Sequence, residues 1–290
     1  MSNIAQELES QPACWEEAAA LAGRVADLLP TAGERVLAVG CGTSLHIAQA
    51  YAARREADGL GETDAAPASE TPVGRAYDRV VAISRSGTTT EVVRCLDART
   101  GDSTALVGAE GTPVAERATA TVSLAFADER SVVQTRFATS ALALLRASLG
   151  HDLSPAIADA ERALAEPLPV EPDGFDHFVF LGRGWTVGLA NEAALKVREA
   201  SESFAESYPA MEYRHGPISL AGPRSIVWAL GEVEPDLLAD VGRTGATVVA
   251  GELDPMAELV RVHRLAVALA ERKGLDPDRP RHLTRSVVLT

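Results

Sequence analysis

The residues with the most chemistry in this chain fall in two stretches. In the first, Asn191-Glu192-Ala193-Ala194-Leu195-Lys196-Val197-Arg198-Glu199-Ala200-Ser201, small apolar residues predict a helix. Glu192, Lys196, Glu199 and Ser203 recur along one face of it at i, i+4, i+7 and i+11. The plain alternative is a solvated row in which Glu192 pairs with Lys196 one turn on. Residues 208–217 then form a loop dense in groups that bind or move protons, with His215 ahead of Gly216-Pro217. A loop histidine is ordinarily polar surface. One within reach of a carboxylate-bearing helix could instead open a sugar ring by acid–base transfer.

The second stretch is Val80-Val81-Ala82-Ile83-Ser84-Arg85-Ser86-Gly87-Thr88-Thr89-Thr90-Glu91-Val92-Val93. Its apolar opening is long enough for a buried strand, and a helical pattern begins at Glu91. A strand running into a Ser/Thr/Gly turn at a helix N-terminus gathers backbone N–H groups, hydroxyls and the positive end of the helix dipole at one point. That chemistry suits a phosphate. The competing reading is an ordinary turn whose Ser and Thr residues cap the helix.

These groups need elements to position them. Val36-Leu37-Ala38-Val39 reads as a buried strand, followed by Gly40-Cys41-Gly42-Thr43-Ser44 and a helix from about 45 to 56. Strands at 104–107 and 120–124 follow, with a helix near 89–99 between. The alternation predicts an α/β doubly wound layer structure with ligands at the carboxyl ends of its strands. A helical pattern from about 134 to 166, broken near Pro155, leads into Pro167-Leu168-Pro169 and Pro172, the best candidate linker. Beyond it Phe178-Val179-Phe180-Leu181-Gly182-Arg183-Gly184 can be laid over residues 36–42 at a constant offset, so that Gly40 and Gly42 fall on Gly182 and Gly184. The chain reads as two tandem doubly wound parallel-sheet domains, 31–150 and 172–290, after an N-terminal helix in 1–30. Where the first half has Ser-Arg-Ser-Gly-Thr, the second has Gly231-Glu232-Val233-Glu234, which would repel phosphate. One phosphate site per chain is expected.

Composition narrows the function. The 290 residues carry 27 Lys+Arg against 41 Asp+Glu, a net charge of −14. Nucleic acid or an anionic membrane would demand a clustered cationic surface, so neither is expected as a partner. No basic-plus-apolar leader and no spanning apolar run is evident. Three cysteines fit a reducing cytoplasm better than a disulfide framework. Scattered histidines and the lack of paired Cys or His spacing argue for chemistry with neither metal nor cofactor.

With these motifs in hand, the chain resembles the sugar isomerase (SIS) family, in particular the isomerase half of glucosamine-6-phosphate synthase and the stand-alone amino-sugar-phosphate isomerases and deaminases. The resemblance runs through Gln11-Pro12, Cys41-Gly42-Thr43-Ser44, Ser84-Arg85-Ser86-Gly87-Thr88-Thr89 and Glu129-Arg130-Ser131-Val132-Val133. It continues through Leu181-Gly182-Arg183-Gly184, Ala194-Leu195-Lys196-Val197-Arg198-Glu199, His215-Gly216-Pro217 and residues 278–287. It implies that Ser44, Ser84, Arg85, Ser86 and Thr89 hold the phosphate of a hexose or hexosamine 6-phosphate, with Gly42, Thr43, Val132 and Gln134 around the sugar. It implies Glu199 as the base at C2, with Lys196 a turn before it. His215 matches the ring-opening histidine, which in such enzymes reaches in from a neighbouring subunit, so a homodimer is expected.

Two departures bear on the chemistry. Arg85 replaces a usual glutamine, and as a charged bidentate donor it still suits an oxyanion. Arg285 falls where the synthase has a Schiff-base lysine, and a guanidinium is no nucleophile. It could instead stabilise an enolate electrostatically. The absence of a glutaminase segment argues against amination by glutamine. Aldose–ketose isomerisation, with or without deamination, is the first reading, and β-elimination on an N-acetylhexosamine 6-phosphate the second. A non-catalytic phosphosugar-binding module is the alternative outside enzymes.

Overall fold

A computed structural model describes residues 2–289. The chain divides into two compact units, residues 1–153 with 282–290, and residues 154–281. In the first, α1 (Asn3–Glu9) and α2 (Gln11–Ala22) meet at Ser10, and a 3-10 helix, Gly23–Leu28, follows. The expected single N-terminal helix is therefore three pieces, with Pro12 at the start of α2, where its missing N–H costs nothing.

The strands of this unit are β1 (Val36–Gly40), β2 (Thr63–Pro67), β3 (Arg79–Ser84), β4 (Asp102–Val107) and β5 (Ala120–Ser123). They form one sheet in the order β2-β1-β3-β4-β5, every pair parallel. Between them run α3 (Thr43–Ala57), α4 (Thr90–Asp97) and α5 (Pro113–Arg117), and after β5 comes α6 (Arg136–Ser148). Apolar side chains of β1, β3, β4, α4 and α5 pack as one core, with Leu37, Val39, Ala82, Ala105, Val107 and Val114 fully enclosed. The helical pattern expected across 134–166 is two helices, because the chain leaves α6 at Leu149 through a left-handed Gly150.

The second unit opens with α7 (Ser154–Ala165). Its strands are β6 (His177–Gly182), β7 (Phe204–Pro209), β8 (Ser225–Leu230) and β9 (Thr247–Ala250), ordered β7-β6-β8-β9 and again all parallel. Helices α8 (Thr186–Ser201), α9 (Pro235–Arg243) and α10 (Pro255–Arg272) cover it. This order matches β2-β1-β3-β4 of the first sheet. The two aligned glycines play one part in both units. A Cβ on Gly40 would lie 2.6 Å from the Ser44 carbonyl carbon, and one on Gly182 would lie 2.3 Å from the Thr186 carbonyl oxygen. Only glycine lets each helix start so close to the end of its strand.

Two strands escape the sequence reading. β2, Thr-Asp-Ala-Ala-Pro, has no β-branched apolar run and pairs only at the edge of its sheet. β7 takes Tyr208 and Pro209 out of the expected loop, and two 3-10 helices, Ala210–His215 and Pro217–Leu220, form the remainder.

Candidate active site

The β3–α4 turn is the centre of the first unit's chemistry. Ser84 closes β3 and is buried, and Thr89 stands in extended conformation at the head of α4. The Thr89 side chain makes no capping bond to the helix, so the simple capping reading fails. Its hydroxyl lies 3.5 Å from Ser84 Oγ instead. Gly87 N–H donates to Ser84 Oγ at 3.2 Å, and Thr88 N–H donates to Ser86 Oγ at 3.2 Å. Gly87 has φ +64°, and a Cβ there would meet Thr112 Oγ1 at 2.0 Å, so the turn accepts no larger residue. The result is a ring of hydroxyls at the positive end of a helix.

Because β1 pairs directly with β3, the β1–α3 turn opens beside this one. It supplies Gly42, Thr43 and Ser44, the last two buried at the head of α3. Cys41 in the same turn is no nucleophile at neutral pH. Burial, and then the nearby Glu91 carboxylate, push its thiol up to about 11.

A third segment of this unit, residues 128–135, is built by two carboxylates. Glu129, buried at the head of α6, accepts N–H bonds from Thr135, Arg136 and Phe137. Burial raises its pKa, against the pull of Arg85 and these N–H groups. Glu7 accepts from the N–H groups of Arg130 and Ser131. Val132 and Gln134 are thereby held half-buried, and Gln134 Oε1 is enclosed without a hydrogen-bond partner.

Both arginine departures find partners within the first unit. Arg85 is buried, and its guanidinium donates to the carbonyls of Ser131 at 2.8 Å, Val132 at 3.3 Å and Arg285 at 2.8 Å. These bonds make it a brace for the loop and the tail. The Arg285 guanidinium pairs with the Asp128 carboxylate and donates to the Glu129 carbonyl. Asp128 carried no signal of its own beside Glu129, and Ser286, in the Thr-Arg-Ser tail, had no role assigned to it. Ser286 Oγ in fact lies 2.8 Å from Thr88 Oγ1 and 3.1 Å from Ser86 Oγ.

In the second unit, α8 carries the carboxylate row, and the row is not a solvated one. Glu192 and Lys196 are fully buried, Lys196 Nζ stands 3.5 Å from Glu192 Oε1, and Lys196 also bonds the Glu199 carboxylate. Glu199 alone of the three keeps a part-open side chain, 21% exposed. A lysine buried between two carboxylates compensates their charge and fixes where Glu199 points. Ser203 falls outside the row, because α8 ends at Ser201 and Glu202 takes a left-handed φ of 50°. Ser203 instead receives Lys273 Nζ at 2.7 Å.

Glu199 also lines a cavity of about 220 Å³ with Glu202, Asp276, Arg279 and Arg281. His215 is exposed at the end of its 3-10 helix, ahead of Gly216 at φ +134°. His263 on α10 was missed altogether, hidden within an apolar helical pattern. It is buried, both ring nitrogens are without a hydrogen-bond partner, and burial and then the Lys196 charge push its pKa down to about 3. Among the described residues no group of three or more His, Cys, Asp or Glu is placed to hold a metal, and no helix is long and apolar enough to cross a membrane.

A comparison with protein-family models returns no match. Among curated proteins, the glutamine–fructose-6-phosphate aminotransferase (isomerizing) of Aeropyrum pernix is 29% identical over 92% of this chain and 53% of its own length. That of a Nostoc strain is 34% identical over 45% of this chain and 26% of its own. The chain thus spans about half the length, or less, of these relatives. Among solved structures, glucosamine-6-phosphate deaminase from Thermotoga maritima is 27% identical, with a TM-score of 0.81 over 99% of this chain and 100% of that one. In sequence and fold together, the chain is similar to phosphosugar isomerases and deaminases of the sugar isomerase (SIS) type.

Proposed function

We propose that this protein is a cytoplasmic sugar-phosphate isomerase or deaminase, acting on an amino-sugar or ketose 6-phosphate by moving a proton between C2 of the aldose form and C1 of the ketose form. The observation that carries the reading is the state of Glu199. Its carboxylate is part-open, oriented by a buried lysine, and borders a cavity. A general base needs that combination of reach and fixed direction. Ser44, Ser84, Ser86 and Thr89 hold the phosphate with backbone N–H groups, and Gly42, Thr43, Val132 and Gln134 lie about the sugar. His215 moves the proton that opens the ring, and the exposure of its side chain suits donation into the site of a second copy in a homodimer. Return of the proton at C1 gives the ketose from an aldose, and from a 2-amino sugar gives the C2 imine, which water hydrolyses to the ketose and ammonia. The similarity to a deaminase over the whole chain supports this order of preference.

A second reading, β-elimination of the C3 substituent from an N-acetylhexosamine 6-phosphate, is favoured by Arg285. No lysine stands at that tail position, and the guanidinium is tied to Asp128. Elimination needs only a base at C2 and an acid near O3, with no Schiff base.

Proton NMR of the enzyme with glucosamine 6-phosphate and N-acetylglucosamine 6-phosphate in D₂O tests both. Exchange of the C2 proton is expected, and Glu199→Gln abolishes it. A ketose phosphate or released ammonia supports the first reading, an unsaturated sugar phosphate the second. Product that retains its C2 hydrogen refutes both.

A further inference from the structure

Tail residues 285–289 lie along the hydroxyl ring within the first unit. Thr90 N–H, in the first turn of α4, donates to the Val287 carbonyl at 3.2 Å, and Leu289 N–H donates to Thr90 Oγ1 at 2.9 Å. Ser286 Oγ sits in hydrogen-bond range of both Ser86 and Thr88. Two fixings hold this strip from behind. The Arg285 side chain is tied to Asp128 and to the Glu129 carbonyl, and the Arg285 backbone carbonyl accepts from the buried Arg85.

Arg85 couples the two. The guanidinium is 2% exposed and its Nε already lacks a hydrogen-bond partner, so its charge depends on the carbonyls that its terminal N–H groups reach. One of its three carbonyl acceptors belongs to the tail, so lifting the tail would leave a buried charged donor unpaired. An unpaired buried donor costs more than an ordinary hydrogen bond returns. The tail is therefore more than a strand end resting on a surface.

We propose that Arg85 and the Asp128–Arg285 pair form a two-point latch that holds the tail on the phosphate loop whether or not ligand is bound, making Ser286 Oγ a preset member of the phosphate cradle. The role given to Ser286 rests on the phosphate reading of the loop, and the latch itself does not.

The test combines hydrogen–deuterium exchange of the full chain with calorimetry using inorganic phosphate. Arg85→Gln and Asp128→Asn are each expected to speed amide exchange in residues 286–289 by tenfold or more, with exchange in the two sheets unchanged. If Arg85→Gln fails to fold, Asp128→Asn, at a half-exposed side chain, decides alone. Unchanged tail exchange overturns the latch. Ser286→Ala is expected to weaken phosphate binding about tenfold and Ser286→Thr, which keeps the hydroxyl, to restore it. Equal affinity in wild type and Ser286→Ala removes Ser286 from the cradle. Loss of the phosphate reading has a separate signature, namely that a Ser84→Ala/Ser86→Ala double variant binds phosphate as well as wild type.

Discussion

Burial or pairing changes what three charged or titratable side chains can do. Lys196, between Glu192 and Glu199, is enclosed at 1% exposure, so its partners are held in place and its charge is little screened. The Arg285 guanidinium is engaged by Asp128. His263 supplies a prediction at this scale. With its pKa pushed from the usual 6.5 to about 3, it is neutral in the folded protein throughout that interval. The unfolded chain takes up a proton below about pH 6.5 that the folded one refuses, so stability falls as pH falls from 6.5 towards 3. One such group contributes a slope of at most about 1.4 kcal/mol per pH unit. Urea unfolding of wild type and His263→Leu between pH 7 and 4 should show the variant losing that part of the acid sensitivity. Parallel pH profiles would mean that His263 gains its proton without unfolding.

At the level of elements, the same strand–turn–helix unit appears with different turn chemistry. At the β3–α4 turn it ends in Ser84-Arg85-Ser86-Gly87-Thr88-Thr89, whereas at the β8–α9 turn it ends in Gly231-Glu232-Val233-Glu234. Glu234 heads α9 there and pairs with Arg183 at 3.3 Å. An anion would meet hydroxyls and N–H groups at the first turn and carboxylates at the second, so one phosphate site per chain is expected. Ser84→Ala with Ser86→Ala should weaken binding of sugar 6-phosphates by roughly ten- to a hundredfold, the range for losing one bond to a charged group. Free sugars should bind the variant as they bind wild type. Calorimetry that shows equal loss for both ligand classes would move the phosphate elsewhere. The turn itself was legible from its Ser/Thr/Gly run, but the inward direction of Arg85 was not, since its acceptors lie some 46 and 200 residues away in sequence.

For the molecule as a whole, the division falls between Leu153 and Ser154, ahead of the proline cluster, and the tail from His282 belongs with the first unit. The proline-rich 167–172 stretch instead leads from α7 to β6, inside the second unit. Whole-molecule assembly carries the remaining prediction. If His215 serves the site of a partner, mixing inactive Glu199→Gln with inactive His215→Ala should restore up to a quarter of wild-type turnover per site by random exchange, since a mixed dimer pairs one intact His215 with one intact Glu199. Mass-tagged subunits would report the exchange. Exchange without restored activity would place His215 and Glu199 of one chain in the same site.

What the sequence determined alone is local. Apolar runs ending in glycine, as at Val36–Gly40 and His177–Gly182, name the central strands because such strands must be hydrophobic on both faces. The hydroxyl-rich turn and the carboxylate row are visible for the same reason, each being contiguous or helically spaced. Tertiary structure decided the rest. β2 and β7 are strands because a neighbouring strand offers them hydrogen bonds, not because of any β-forming pattern of their own. Glu192 and Lys196 have the spacing of a surface ion pair, and only packing against the other elements of the second unit buries them. The partners of the tail, Arg85 and Asp128, are both remote from it in sequence. Burial and long-range hydrogen bonding depend on what lies opposite a residue, and one chain's order of residues does not encode that locally.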